Sequence, residues 1–374
     1  MSRLNRYVFR QLFWATLVVL VTLACVVWLS QSLRFVELIV NRGMSAPLFI
    51  YFTALLLPSF IHTILPIALF IAILFVYNRL MVDSELVVMR AAGLSQRRLA
   101  LPALLLAGLC TLAGYALSAY LVPASYRSFK ELQNEIRDSF TSVLLQEGVF
   151  NTLTQGVTVY IRSRDPNGDL RGIVVHDGRN KTSPVTMMAE RGALVQGRDG
   201  PRVVMASGNR QEVDSATGRA SLLYFDQYVF DIGAFGEPPE TRWREPRERF
   251  IGELFAPENS PEMSFNYRKL RVEGHHRLVS PLLSLAFAAV ALACLLTGQF
   301  NRRGQARRIA TAAGVVLALE IGMIALKSAG ERDLDFTVLM HAVVGAALLA
   351  GAALLAFDPR RRRRAPAALA AASG

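Results

Sequence analysis

Apolar and polar positions are segregated into long blocks along this chain rather than interleaved. Three apolar runs, Leu12–Leu33, Leu48–Val76 and Leu99–Val122, precede a long polar middle, and three more, Leu278–Leu296, Ile309–Leu326 and Phe336–Phe357, follow it. A helix rises about 1.5 Å per residue, so roughly twenty apolar residues cross a bilayer. The pattern predicts six membrane-spanning helices in a 3+3 arrangement. Pro58 and Pro66 flank His62 in the longest run, which predicts a kink or tilt in the second span. Gly108, Ala113, Gly114 and Ala116 in the third run allow close helix approach.

The polar middle carries a different periodicity. After a short helix read at Tyr126–Arg137, strand-like runs follow at Val157–Arg162, Gly172–His176, Val185–Ala189, Ala193–Gln196, Arg202–Ala206, Ser221–Phe225 and Gln227–Phe230. Turn signals separate them, notably Asp165–Gly168, Asp177-Gly178 and Asp199-Gly200. Short strands without intervening helices predict an inserted all-β domain, as a sandwich, jellyroll or open barrel. The segment Glu237–Pro261, with five prolines, reads as a semi-extended return to the membrane. The expected divisions are transmembrane helices over 1–122, the β domain with its return linker over 123–277, transmembrane helices over 278–358 and a basic tail over 359–374.

Composition sharpens this picture. Of 374 residues 52% are hydrophobic, too many for an ordinary soluble enzyme given their clustering. The net charge of +12 comes from arginines set beside the apolar runs (Arg3, Arg6, Arg10, Arg79, Arg97, Arg98, Arg302, Arg303, Arg307, Arg308, Arg360–Arg364). That placement is a topology signal, and it points to no nucleic-acid partner. Putting the arginines on one side places both termini in the cytoplasm and the β domain outside. The three cysteines, Cys25, Cys110 and Cys294, all lie in apolar runs, so the polar middle has no disulfide framework or cysteine metal site. No small-residue cleavage site follows the first run, which favours a retained helix over a signal peptide.

Between spans two and three lies a short stretch with helix-end chemistry at both ends. Asp83 or Ser84 suits an N-cap, Glu85 the first turn, Arg90 the last turn and Gly93 the left-handed position beyond it. A helix of about ten residues cannot cross the bilayer. With Leu86, Met89 and Gly93 at i, i+3 and i+7 it reads either as a helix that docks in another protein's groove or as a capped connector with no partner.

Catalytic motifs are missing: there is no GxxxxGK[ST], HExxH or GxSxG string. Charges near membrane depth are more informative. Arg34, at the end of the first span, either pairs with Glu37 or snorkels to the headgroups, or else takes an anionic headgroup, with Arg42 nearby to assist. Lys327, seven residues after Glu320, suits a substrate phosphate. His62 and His341 read equally as helix contacts or as proton carriers. On residues alone, a membrane sensor with an external ligand-binding β domain and a proton-driven lipid transporter both stay open.

Several local words resemble the LptF/LptG (YjgP/YjgQ) family of lipopolysaccharide export permeases over essentially the whole chain. They are Ser84-Glu-Leu-Val-Val-Met-Arg-Ala-Ala-Gly-Leu-Ser95 after span two, the Leu65-Pro66 step within it, and Glu273-x-x-x-Arg277-Leu-x-x-Pro281-Leu282 leading into span four. Leu326-Lys327-Ser328 and Asn301-Arg-Arg-Gly304 look more like the LptF-type half. The resemblance implies the permease subunit of an ABC transporter in a bacterial inner membrane. Its implied partners are an LptG-type permease, an LptB-type cytoplasmic ATPase dimer and an LptC-type periplasmic bridge protein. No cofactor is implied, and nucleotide chemistry belongs to the ATPase chain. It further implies that Asp83–Ala92 is the coupling helix and that Glu85 meets the ATPase groove. The β domain would be a periplasmic jellyroll, and Arg34, Arg42 and Lys327 would bind lipopolysaccharide. Ser32 stands where the family often has a second cation.

Overall fold

The computed structural model describes residues 3–35, 45–141, 147–154, 156–165, 169–180, 183–197, 200–213, 219–231, 243–256, 261–297 and 305–356. The chain divides into two compact units, residues 1–129 with 244–374, and residues 130–243.

Six helices in the described residues have the length and apolarity to span a membrane. The first is α1, Arg3–Leu33. The second run is broken into α2, Ala46–Ala54, and α3, Leu57–Val82, because Pro58 fits the first turn of a new helix but not the interior of a continuing one. A short helix, α4, occupies Glu85–Ala91. The third span, α5, runs over Gln96–Ala116 and passes through a π turn, Leu117–Leu121, into α6, Val122–Thr141. The apolar run therefore ends near Val122 but the helix does not. The wide turn lies directly ahead of Pro123, whose ring would collide with the carbonyl four residues back in an α-helix.

The return segment also departs from expectation. Within Glu237–Pro261, the described residues form a 3-10 turn at Pro246–Glu248 and a short helix, α7, at Ile251–Phe255. The Glu248 carboxylate accepts from the Glu245 N–H at 3.1 Å and Glu253 from the Phe250 N–H at 3.3 Å, so each turn supplies the cap that a proline-rich composition conceals. The fourth span comprises α8, Pro261–Val279, a 3-10 turn at Ser280–Leu282 and α9, Leu283–Leu296. The last two are α10, Gln305–Gly330, and α11, Asp335–Ala356.

The helical core is centred on α9. Ala286, Ala288 and Ala291 are fully buried, and Phe287 and Leu292 pack with Leu69, Ile73 and Tyr77 of α3. Small residues let the backbones approach closely. A Cβ added at Gly351 of α11 would lie 2.5 Å from the Ala289 Cβ, and one at Gly114 of α5 would lie 3.1 Å from Pro281, whereas Gly108 faces open space. Gly351→Ala is therefore expected to destabilise the helical unit by about 1–3 kcal/mol, through overpacking. Gly108→Ala is the matched control, and thermal unfolding of both variants in detergent provides the check. By contrast α1, α10 and α11 leave large apolar side chains such as Val18, Ile324 and Leu349 exposed on their outer faces.

The inserted domain is all-β. Its strands are β1 Phe150–Thr154, β2 Val157–Arg164, β3 Leu170–Asp177, β4 Val185–Gly197, β5 Gly200–Val213 and β6 Ala220–Asp231. They form one open antiparallel sheet in chain order. The two runs read at Val185–Ala189 and Ala193–Gln196 are a single strand, as are those at Ser221–Phe225 and Gln227–Phe230. Glu190-Arg191-Gly192 interrupts the apolar pattern but not the register, since Ala189 is opposite Gly208, Arg191 opposite Ala206 and Gly192 opposite Met205. A Cβ at Gly192 would meet the Val204 carbonyl oxygen and the Ile173 side chain at 2.5 Å, so the position admits only glycine. One face of the sheet is a packed core of Val157, Val159, Ile161, Ile173, Val175, Val203 and Met205.

Candidate functional site

Two sets of polar side chains in the helical unit stand out, one at each end of span four. The first surrounds α4. Gly93 adopts φ +88° as expected, and the N–H groups of Gly93 and Leu94 close onto the carbonyls of Arg90 and Met89 at 3.1 and 3.2 Å. This double closure is a Schellman motif. The N-terminal expectation is corrected: neither Asp83 nor Ser84 caps through its side chain. Ser84 itself takes the left-handed conformation at φ 60°, and the Asp83 carboxylate turns back to Arg79 at 3.5 Å. Glu85 is half-buried and accepts from the Tyr7 hydroxyl at 3.4 Å.

The outward face of α4 is also not the one that periodicity singled out. Leu86 and Met89 are 1% and 7% exposed and belong to the core of this same chain. A helix this short is stable only by burying its apolar stripe on its own protein, and the spans beside it provide the surface. What faces outward is Val88, at 66% exposed, with Val82, Val87, Ala91 and Ala92. Arg90 does more than complement its own helix: its Nη2 donates to the Leu296 carbonyl at 2.7 Å, joined by Gln96 Nε2 at 3.3 Å. The last turn of span four is thereby capped from α4 and α5.

The second set lies about 35 Å away along the same span, at about 1.5 Å per residue. Glu273 and Arg277, one turn apart on α8, form an ion pair with Nε donating to Oε1 at 3.1 Å. Arg277 is 3% exposed and its remaining nitrogens donate to the carbonyls of Arg249 at 2.6 Å, Pro246 at 2.9 Å and Arg247 at 3.1 Å. The other carboxylate oxygen, Oε2, receives Lys327 Nζ of α10 at 2.8 Å. Around this cluster, Arg127 of α6 pairs with Glu253 at 2.6 Å and lies over the Phe250 ring at 4.4 Å. The 3-10 turn that follows is held by His62 Nε2 against Ser280 Oγ at 3.1 Å and by the Tyr115 hydroxyl donating to the Leu278 carbonyl at 2.8 Å. His341 donates from Nδ1 to the Thr337 carbonyl at 2.8 Å. Both histidines are thus hydrogen-bonded helix contacts.

A family model described as the lipopolysaccharide export system permease LptF/LptG matches residues 6–370. The chain belongs to the LptF/LptG family. Among its relatives, an uncharacterized protein of Rickettsia prowazekii (strain Madrid E) is 28% identical over 354 residues, 94% of this chain and 98% of that protein. The lipopolysaccharide export system permease protein LptF of Escherichia coli K12 is 27% identical over 231 residues, 61% of this chain and 63% of that one. LptF of Shigella flexneri gives the same figures. Membership makes the chain a transport subunit of lipopolysaccharide export, rather than an enzyme, at the level of the family.

In this LptF/LptG chain the cations expected to meet lipopolysaccharide stand on separate elements, Arg34 after α1 and Lys327 on α10. Arg34 is exposed just beyond α1, where its N–H closes a turn onto the Gln31 carbonyl at 3.1 Å. Ser32, in place of a second cation, is 7% exposed. Arg42 lies outside the described residues, as does Glu37, the alternative partner of Arg34. Lys327 is engaged by Glu273. Glu320 is half-buried on α10 and makes no ion pair among the described residues. In the sequence Glu273 and Arg277 stand only as words of the family resemblance, and the fold makes them the centre of this cluster. The available signal was an acid and a base four residues apart at the mouth of an apolar run, where unpaired charge is costly.

Proposed function

We propose that this chain is the LptF-type transmembrane subunit of an ATP-driven exporter that draws lipopolysaccharide from the bacterial inner membrane. In this reading both termini and α4 are cytoplasmic and the β domain is a periplasmic jellyroll that receives the glycolipid. The working assembly is a heterodimer with an LptG-type permease, an LptB-type ATPase dimer beneath it and an LptC-type bridge protein beyond. A cargo with several acyl chains gains about 0.8 kcal/mol for each methylene kept out of water, so release requires work from outside the binding site.

The observation that carries the reading is α4 itself. It is a seven-residue helix closed by a Schellman motif, anchored inward by Leu86 and Met89, and bonded through Arg90 to the end of the most buried span. Force applied to its outer face passes to α9 through the short, partly buried bond from Arg90 to the Leu296 carbonyl. Asp83, Ser84, Glu85 and Gly93 complete that face, while Leu86, Met89 and Arg90 transmit. Affinity purification of the full chain from its native membrane tests this: a soluble ATPase copurifies with the parent, and recovery of the permease with no nucleotide-hydrolysing subunit overturns the assignment.

Arg34, Arg42 and Lys327 are the proposed contacts for the headgroup phosphates. Arg34→Ala is expected to lower photocrosslinking to lipopolysaccharide by about tenfold or more, the factor that the roughly 1.5–3 kcal/mol of a hydrogen bond to a charged group represents. Crosslinking equal to the parent would mean that Arg34 only snorkels to the membrane surface.

A further inference from the structure

The cluster of Glu273, Arg277 and Lys327 holds two cations against one carboxylate, and the two are not equivalent. The Arg277 side chain is 3% exposed and is locked by three backbone carbonyls besides the carboxylate. It cannot leave without stripping donors from the segment Pro246–Arg249. The Lys327 side chain is 27% exposed, comes from a different helix and has, among the described residues, only Glu273 as an ionic partner. Its four-carbon stem is flexible and its ammonium is a compact point charge. One turn before it, Ile324 is 65% exposed, so this side of α10 is open to whatever lies beside the helix.

Departure of Lys327 leaves Glu273 still neutralised by Arg277. An unpaired buried carboxylate would forbid the move, and here none is created. We propose that Glu273 is an internal counter-anion that occupies Lys327 until a doubly charged phosphate headgroup takes its place, which makes the site discriminate against singly charged phospholipids. A phosphodiester brings about one negative charge, no more than the carboxylate it must displace, whereas a phosphomonoester brings close to two and more acceptor oxygens. The carboxylate thus acts as a threshold rather than as a ligand. This inference rests on the lipopolysaccharide reading above and adds the origin of its selectivity.

The test uses the full chain with the subunits that copurify, in phosphatidylcholine nanodiscs containing either lipopolysaccharide or phosphatidylglycerol, with a photocrosslinking residue at Ile324. The parent crosslinks lipopolysaccharide in preference to phosphatidylglycerol. Glu273→Gln raises phosphatidylglycerol capture by about tenfold, the factor that 1.4 kcal/mol represents, and so narrows the preference. Lys327→Gln loses capture of both, and the double variant behaves as Lys327→Gln alone. Inorganic phosphate added as competitor leaves lipopolysaccharide capture unchanged; equal competition would make the ligand a free anion and overturn the proposal. An unchanged preference in Glu273→Gln also overturns it while leaving the export reading intact. A parent that captures no lipopolysaccharide sinks both. Should Glu273→Gln fold poorly, infrared difference spectroscopy of the parent decides. Lipopolysaccharide then shifts a glutamate carboxylate band in the parent, and a band that stays in place, or that shifts equally in Lys327→Gln, overturns the exchange.

Discussion

Arg277→Leu is expected to destabilise the helical unit by about 3–5 kcal/mol, the cost of breaking a buried ion pair by removing one partner. Four interactions go at once: the Glu273 bond and those to the carbonyls of Pro246, Arg247 and Arg249. The carbonyls sit in the turn that brings the chain back to the membrane, so losing their donor frees that turn, and Glu273 is left with Lys327 as its one ionic partner among the described residues. Limited proteolysis would then cut within residues 243–256 in the variant and spare the parent. Lys327→Gln is the instructive contrast, because Glu273 keeps its arginine and the lysine is partly exposed. Its unfolding midpoint stays near the parent's. An Arg277→Leu midpoint within about 2 °C of the parent's would show that the cluster contributes little to the fold.

Glu85→Lys is expected to leave insertion and thermal stability intact while lowering ATP-driven lipopolysaccharide release from proteoliposomes more than tenfold. The basis is the roughly 2–5 kcal/mol that truncating one member of a buried interfacial charge pair costs. The fold asks little of this carboxylate: among the described residues its one side-chain hydrogen bond is the 3.4 Å contact from the Tyr7 hydroxyl. A large loss of transport without a loss of stability therefore places the defect at a surface outside this chain. Val88→Asp, on the exposed side of the same helix, should share the phenotype, whereas Leu86→Asp should instead disrupt α4 by burying a charge in the core. Release by Glu85→Lys at the parent rate would remove α4 as the point of force transfer.

The contrast between Leu86 and Val88 shows where pattern reading stops. The spacing of Leu86, Met89 and Gly93 identifies an apolar stripe correctly, but a stripe says only that something covers it. Here the cover is this chain's own helical core, and the outward face is the valine side that periodicity passed over. The strands behave in the same way. Glu190-Arg191-Gly192 and Asp226 interrupt an apolar pattern and so look like turns, yet the strand register is the same on both sides of them, with Ser207 at φ 53° between, because hydrogen bonds between strands do not depend on side-chain polarity.

What the sequence alone determined is what depends on composition over a local window: six spans, an inserted all-β domain, a glycine-closed helix between spans two and three, and membership of a permease family. Hydropathy and helix-end chemistry are properties of neighbouring residues, so they survive without coordinates. What only the tertiary structure decided is which groups meet across the fold. Lys327 on α10 finds Glu273 on α8, Arg277 finds a turn that precedes it by some thirty residues, and Arg90 finds the last carbonyl of span four. Those pairings are set by how helices pack side by side, where close contact and the cost of an unmatched charge select partners that no spacing along the chain records.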